Sequence, residues 1–590
     1  MKPVSETATS ANHIPHAPLR PPSKVMRLAR MGAFHPTRVS FVRTLVRRMA
    51  RERWRIERER FHLDADGYGD IVYRVVTPAG TLRLVAFSNH LDPSERTDRV
   101  IATQWDASFV LTAAEVDDTL LADYRKNIPL QEAGRCHPFD LVLSRANRSV
   151  RLFEHAVECL ADGRQPAFAR LAEVGYLMRT TAVYGNGKFG VGDFEAVLSG
   201  GVFSLPFQAE MLTVYLARLL SFDLVEHIAR ARAPDRAVRL EPRVARCLGV
   251  GNATGLGMAP FLVTHPRLLD RWIRARELGL ARVRAVERAE PGRVARFAEL
   301  VSRARRHVAQ WRTDDARQSA RIEVLATELA WLSRWSRDVG LAHVRNPWDA
   351  VMRAAESRGC VELEEITLSL LLELFPELVD GLENDTGADE RLATAPAMRV
   401  CELAAIAERD YDWALGFDFD DPREQHRFWY YSEEKEEPRL GERFSEPGAE
   451  REYPLHVARD VRELHQVLGA LGPAWRERSV AQFLLERPRY RRTVRRVQSL
   501  AGVEYAEIRD NVIGEDCLPI DMLRCKLAIF GASKFDPKSD RWTRITLFQG
   551  APLPDELDRE DMDDWAFPVI PVEADHDVAG SRPLSSMSMV

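Results

Sequence analysis

Between Tyr184 and Gly192 the chain reads Tyr-Gly-Asn-Gly-Lys-Phe-Gly-Val-Gly. Glycines permit tight turns and close backbone approach, so successive N–H groups can converge on an anion. Lys188 adds a mobile positive charge and Asn186 a directed donor. This is not a Walker loop, because Phe189 follows the lysine and the G-x-x-x-x-G-K-[ST] spacing is absent. A second run has glycines at 249, 251, 255 and 257, with Asn252 and Thr254 between them and Pro260 at its end. Its spacing approaches a dinucleotide loop, but no acidic residue closes a second strand about 20 positions on. We read it as a helix start, capped by Asn252 or Thr254, whose free N–H groups around Gly251, Gly255 and Gly257 hold a carboxylate or phosphate. The bland alternatives are a hairpin carrying a surface lysine, and glycines that let two helices pack closely.

Acid–base groups fall elsewhere. Ser88-Asn89-His90-Leu91-Asp92 closes a predicted strand, where His90 can exchange a proton and Asp92 can orient its ring. Cys136 and His137 are adjacent, a poor geometry for activating a thiol. From Asp510 to Asp521 the chain gathers carboxylates beside Cys517. A helix begun at Pro519 sets Asp521 and Cys525 one turn apart, while Lys526 projects differently. The catalytic candidates are thus His90, Asp92, Cys517 and Asp521. Asp418, Asp420 and Asp421, followed by His426, offer oxygen ligands and one imidazole for a divalent ion. Their spacing matches no EF-hand, and the chain has neither H-E-x-x-H nor H-x-H. Clustered aspartates are usually solvated, so no metal is assigned and the cofactor is unknown.

The elements that must position these groups follow from periodicity. Phe41 to about Arg60 reads as a basic helix. Tyr68 to Val76 and Thr81 to Ser88 read as strands about the Thr77-Pro78-Ala79-Gly80 turn. A third strand lies between Arg99 and Leu111, a short helix ends before Pro129, and residues 139–162 read as helix. Tyr176 to Tyr184 forms a strand. Pro206 opens an apolar helix to about Ala233, with Leu212, Leu216, Leu219 and Leu220 on one face. Phe297, Val301, Ala304, Val308 and Trp311, then Ile322, Leu325, Leu329 and Leu332, recur at spacings of three and four. Those stripes predict a long helical hairpin. Trp542 to Phe548 is a further strand.

The fold class expected is α+β: a large, predominantly helical soluble protein with small sheet regions and a long helical hairpin. Five regions are read: a flexible N-terminal arm (1–37), a mixed ligand-binding region (38–265), a hairpin insertion or oligomerisation arm (266–345), a helical region with an exposed acidic-aromatic loop (346–500), and a mixed C-terminal region with an acidic tail (501–590).

Of 590 residues, 45% are apolar and 29% charged, which excludes a disordered or fibrous chain. No apolar run approaches the roughly 20 residues of a bilayer helix. The 83 basic and 88 acidic residues nearly balance, giving a net charge of -5 and no global pull toward nucleic acid. The balance is local: residues 1–60 hold 14 Lys or Arg against 4 Glu, and residues 551–590 hold 10 acidic groups against 2 Arg. A basic end of this kind commonly docks on acidic parts of its own fold. Seven widely spaced cysteines fit free thiols in a reducing compartment, and the cytoplasm is the expected location.

The functional expectation is an enzyme, of hydrolase or lyase type, acting by acid–base chemistry on a small anionic metabolite held by the glycine-rich segments. A homo-oligomer built through the hairpin is expected with it. Two other classes fit other parts of the sequence. One is a nucleic-acid or regulatory binding protein using Arg43, Arg47, Arg48 and Arg51 at helical spacing. The other is an oligomeric scaffold.

Overall fold

A computed structural model describes residues 17–95, 104–128, 137–182, 201–255, 260–387, 392–417, 431–432, 437–438, 457–509, 520–538 and 542–571. Alternating apolar residues in the first half of the chain set up a sheet with two buried faces. Its strands are β1 (Arg55–Leu63), β2 (Gly69–Thr77), β3 (Gly80–Ser88), β4 (Ala107–Thr112), β5 (Asp140–Arg148), β6 (Tyr176–Thr180), β7 (Gly249–Gly255), β8 (Lys534–Pro537) and β9 (Trp542–Leu547). Their order is β1-β2-β3-β4-β5-β6-β7-β9-β8, so strands read separately from the sequence join in one nine-stranded sheet. All neighbours are antiparallel except β6 and β7, which are parallel. Ile71, Tyr73, Leu84, Ala86, Phe109 and Val142 face the main core. Their neighbours Val72, Val85, Phe87, Val110 and Leu143 face the other side, where Leu121 and Tyr124 of the helix Asp118–Asn127 cover them.

Three sequence expectations are corrected here. The stretch 139–162 is not one helix: β5 occupies its first half and the helix Phe153–Ala161 its second. β5 is taken up by partners on both sides, β4 and β6, a context its short apolar run does not announce. The basic helix ends at Arg51, and the charged stretch after it is the edge strand β1, bonded to β2 alone. Charged side chains are usual on an edge strand, which would otherwise offer free backbone for aggregation. Finally, Gly249–Gly255 is a strand and not a helix start.

The helices that matter for the site are α1 (Phe41–Arg51), α2 (Gln208–Arg232), α3 (Pro266–Arg284), α4 (Pro291–Val308), α5 (Ala316–Asp338), α6 (Pro347–Arg358), α7 (Val361–Leu374) and α8 (Asp521–Phe530). The chain is α+β and predominantly helical, and among the described residues no helix is long and apolar enough to cross a membrane. α2 is buried along most of its length and packs on β5, β6 and β7, which is why its apolar residues surround the helix rather than form one stripe. The predicted hairpin exists as α4 and α5. Phe297, Val301, Ala304, Val308, Leu325, Leu329 and Leu332 are all buried, and α6 and α7 pack against the pair. The stripe is therefore consumed within the chain, and the reason for expecting a dimer through it is removed.

Residues 17–37, read as a flexible arm, are built into the body, with Val25, Met26, Met31 and Phe34 buried. Charge explains the docking. Arg20 donates to Glu277 at 2.7 and 2.8 Å and to Glu365 at 2.9 Å, and Arg30 donates to Glu364 at 2.9 Å and to Glu365 at 2.7 Å. Arg276 of α3 completes the cluster on Glu365. Burial alone would raise the Glu365 carboxyl, but Arg20, Arg276 and Arg30 hold it well below the usual carboxylate range. The acidic C-terminal region docks by the same means. Asp563 takes Arg38 and Arg43, and Asp564 takes Arg296 and Arg303.

Candidate functional site

A parallel pair needs a crossover, and here it runs from β6 through residues 201–207 and α2 to β7. Tyr176 lies beside Gly249 and Arg179 beside Gly251. Parallel neighbours finish at the same end of a sheet, and crevices outside such carboxyl ends are where open sheets bind ligands. The first glycine-rich segment follows β6, while the second begins within β7 itself and runs past its end. Residues 184–192, with Asn186 and Lys188, lie outside the described residues, as does Gly257. Their described flanks are in contact on the far side as well. Phe207, which caps α2 with a φ of 56°, sets its ring 5.5 Å from that of Phe261 in the short helix Pro260–Thr264. Phe530 at the end of α8 joins both rings, at 5.3 and 5.4 Å.

Lys526 of α8 points into this aromatic cluster. Its Nζ lies 4.5 Å from the centre of the Phe261 ring and 5.1 Å from that of Phe530. Lys526 is 1% exposed and, among the described residues, its amine has no hydrogen-bond partner. Burial drives its pKa well below the ordinary lysine value, and among the described residues no carboxylate opposes the shift. His265 lies against the same rings, 4.5 Å from Phe261 and 5.9 Å from Phe207. Its Nδ1–H donates to the Phe261 carbonyl at 3.1 Å, and burial pushes its pKa down to about 4. An amine and an imidazole, each with its pKa lowered by burial, thus share one aromatic wall. A neutral amine there can act as a base or as a nucleophile.

The residues picked from sequence divide around this place. Gly251 and Asn252 are within β7, between β6 and β9. The backbone of Gly249–Gly255 is engaged in strand pairing, so the proposed anion-binding helix start at Gly251, Asn252, Thr254 and Gly255 is corrected. These glycines serve close packing: a Cβ on Gly251 would stand 2.6 Å from the Tyr176 ring, and one on Gly249 2.2 Å from the Leu547 carbonyl oxygen. Asn252 is buried and its Nδ2 donates to the Thr180 carbonyl at 2.7 Å, tying the two parallel strands together.

His90 and Asp92 follow β3, which runs opposite to β6, so the chain leaves the two strands in opposite directions. His90 is exposed against Tyr68, and Asp92 accepts from the backbone and hydroxyl of Ser94 at 2.8 and 2.6 Å. Asp92 thereby caps a turn. Asp521 opens α8 but is buried, accepting from Gln318 at 3.2 Å and Arg321 at 2.8 Å. It is a structural counter-ion, and Cys525 one turn on is a buried thiol with its pKa raised by desolvation. Cys517, Asp418, Asp420, Asp421 and His426 lie outside the described residues. Among the described residues no group of three or more potential metal ligands is found.

The basic helix is not a free cationic face. Arg43 pairs with Glu373 and Asp563, Arg47 with Glu383, and Arg48 with Glu52 and Gln208, leaving Arg51 exposed. A small cavity of about 60 Å³ lies between Phe34, His35, His307, Trp311, Arg524 and Trp565. Its charges are already matched. Arg524 clasps Glu362 at 2.6 and 2.8 Å, and His307 donates to the Pro568 carbonyl at 2.7 Å. Only the indole N–H groups of Trp311 and Trp565 lack acceptors there, which makes this a packing cavity more than a reactive one.

Sequence reasoning set Lys526 aside because it turns away from Asp521 and Cys525 on the helix. Composition carried a signal: of 83 basic residues only eight are lysine, and one of the eight stands in the apolar run Leu523 to Phe530. Comparison with protein-family models, curated proteins and solved structures finds no match for this chain.

Proposed function

We propose that this chain is an enzyme of hydrolase or lyase type, acting by acid–base chemistry on a small anionic metabolite held where β6 and β7 end. The observation that carries the reading is the pairing of these strands. They are parallel neighbours, β6 leads into one glycine-rich segment and β7 is built from the other, and the described flanks of those segments meet again through Phe207 and Phe261. Lys188 then supplies the charge for the anion, while Lys526 and His265 supply groups that can take or give a proton. The binding role of Gly251, Asn252 and Gly255 becomes that of a rigid floor, and His90, Asp92 and Asp521 drop out as catalysts.

Internal neutralisation of Arg43, Arg47 and Arg48 counts against the nucleic-acid alternative, since a phosphate backbone would have to displace carboxylates already in place. Calorimetric titration with inorganic phosphate and with pyruvate tests the anion site. Lys188→Met is expected to weaken binding by about 1–3 kcal/mol, the scale of one charged hydrogen bond left unmade, without lowering the melting temperature. Equal affinity in the wild type and Lys188→Met overturns the reading.

A further inference from the structure

We propose that Lys526 is an imine-forming residue, and that the substrate class of this site is a small carbonyl compound, a 2-oxo acid foremost. The oxo-acid part of the inference rests on the anion-binding reading above, whereas the reactivity of the amine does not.

The argument starts from what a wholly buried amine can be. Taking an ammonium out of water is costly even after relaxation, and is offset only by a counter-ion or a full set of acceptors. Among the described residues Lys526 has neither, and the faces of its two aromatic neighbours offset only part of that cost. The amine is therefore held neutral, with its lone pair available. A neutral amine does not hold an anion by charge. It attacks an electrophilic carbon, and desolvated lysines in apolar pockets are activated for this step.

Residue type supports the same conclusion. This chain uses arginine for nearly all its positive charge, including the buried ion pairs of Arg20, Arg30 and Arg276. Arginine cannot deprotonate in a protein, so lysine is the basic side chain that can serve as a nucleophile. A purely apolar filler at this position would be Leu or Met, as at Met522, Leu523 and Leu527 in the same helix.

The chemistry balances without a further reagent. The Nζ lone pair forms a bond to the carbonyl carbon as the π pair moves to oxygen, which takes one of the two nitrogen protons. The carbinolamine then loses its hydroxyl together with the one remaining nitrogen proton as a single water, leaving C=N. Once protonated, the imine draws electrons from the adjacent bond, which is the step a lyase acting on a 2-oxo acid requires. His265, against the same Phe261 ring, offers an imidazole for the proton transfers.

Reductive trapping tests this directly. The full chain is incubated with pyruvate, or with propanal as a neutral carbonyl, in the presence of sodium cyanoborohydride, then digested and mapped by mass spectrometry. The expected result is a reduced adduct on Lys526 at least tenfold above that on Lys24 and Lys534, and its loss in Lys526→Met. Modification of Lys526 by propanal but not pyruvate keeps the imine-forming residue and rejects the oxo-acid class along with the anion site. Absence of any adduct on Lys526, or adducts spread evenly over the lysines, overturns the proposal. Phosphate and pyruvate binding that persists without an adduct leaves the anion site standing while the imine falls.

Discussion

Replacing Lys526 by methionine is expected to stabilise the protein, and the gain should shrink as pH rises. The native amine is neutral because burial depresses its pKa, whereas the unfolded chain carries an ordinary lysine with a pKa of about 10.4. Between the depressed value and 10.4 the unfolded state holds one more proton than the native state. Wild-type stability therefore rises with pH through that window, by about 1.4 kcal/mol per pH unit. Throughout that window the charged form is a handicap that methionine does not share. The unpartnered amine adds roughly 1–3 kcal/mol that an apolar side chain of similar length avoids. For unfolding of 590 residues as one unit, 1 kcal/mol moves the melting temperature by only about 0.8 °C. The unpartnered amine alone thus puts the variant about 1–2 °C above wild type, and within that window the margin should narrow by about 1 °C for each pH unit of rise. Scanning calorimetry of both proteins at pH 7.5, 8.5 and 9.5 measures this. A variant that melts lower, or a difference that ignores pH, would mean that Lys526 keeps its proton and its counter-charge in the fold, and the reasoning fails.

Gly251→Ala should cost about 1–3 kcal/mol because its Cβ enters the Tyr176 ring, while Gly292→Ala, with open space around it in α4, should be neutral or mildly stabilising; paired melts separate the two. Glu365→Gln leaves Arg20, Arg30 and Arg276 short of charge at a buried site and should destabilise by about 3–5 kcal/mol, measured by urea unfolding; a loss under 1 kcal/mol would show the cluster reorganises freely. His307, depressed to about 4 by burial, is neutral when folded and charged when unfolded below about 6.5. Its contribution drains away as pH falls from about 6.5 to 4, by about 1.4 kcal/mol per unit, and His307→Asn should lack that share of the slope. Glu226 and Asp460, raised to about 7 by burial, act with the opposite sign, so the variant and wild type must be compared at each pH.

Legibility in the sequence followed the locality of the forces. The β2–β3 hairpin was readable because the Thr77 hydroxyl organises its own turn, accepting from Ala79 and Gly80. The α4–α5 hairpin was readable because each stripe lies within one helix. β5 and β7 were not, since their partners lie far along the chain: β7 is held by Tyr176 and Arg179 on one side and by Trp542 to Leu547 on the other. A glycine-rich strand packed against an aromatic ring resembles a loop until the ring is in place. The docking of the two charged ends was foreseeable from charge alone, but its targets Glu364, Glu365 and Glu373 looked like ordinary members of an apolar helix. Lys526 was overlooked for a related reason, because lacking a partner is a property of three dimensions.

Burial of a cation is not in itself unusual here, and Arg218 is the internal control. It lies in α2 with no exposure, as deep as Lys526. Its guanidinium donates to the carbonyls of Leu248 at 2.7 Å, Ala551 at 3.0 Å and Ala245 at 3.1 Å. Those bonds join the start of β7 to the loop after β9, so the residue works as a strut that satisfies its own donors. Lys534, the other deeply buried lysine, donates to the Ala172 carbonyl at 3.0 Å and lies 3.6 Å from Asp536. A fold that supplies acceptors to Arg218 and Lys534 yet, among the described residues, none to Lys526 treats that side chain differently. Stability alone would favour an apolar side chain at that position, by the margin worked out above. The amine is best explained by what it does to a molecule that reaches it.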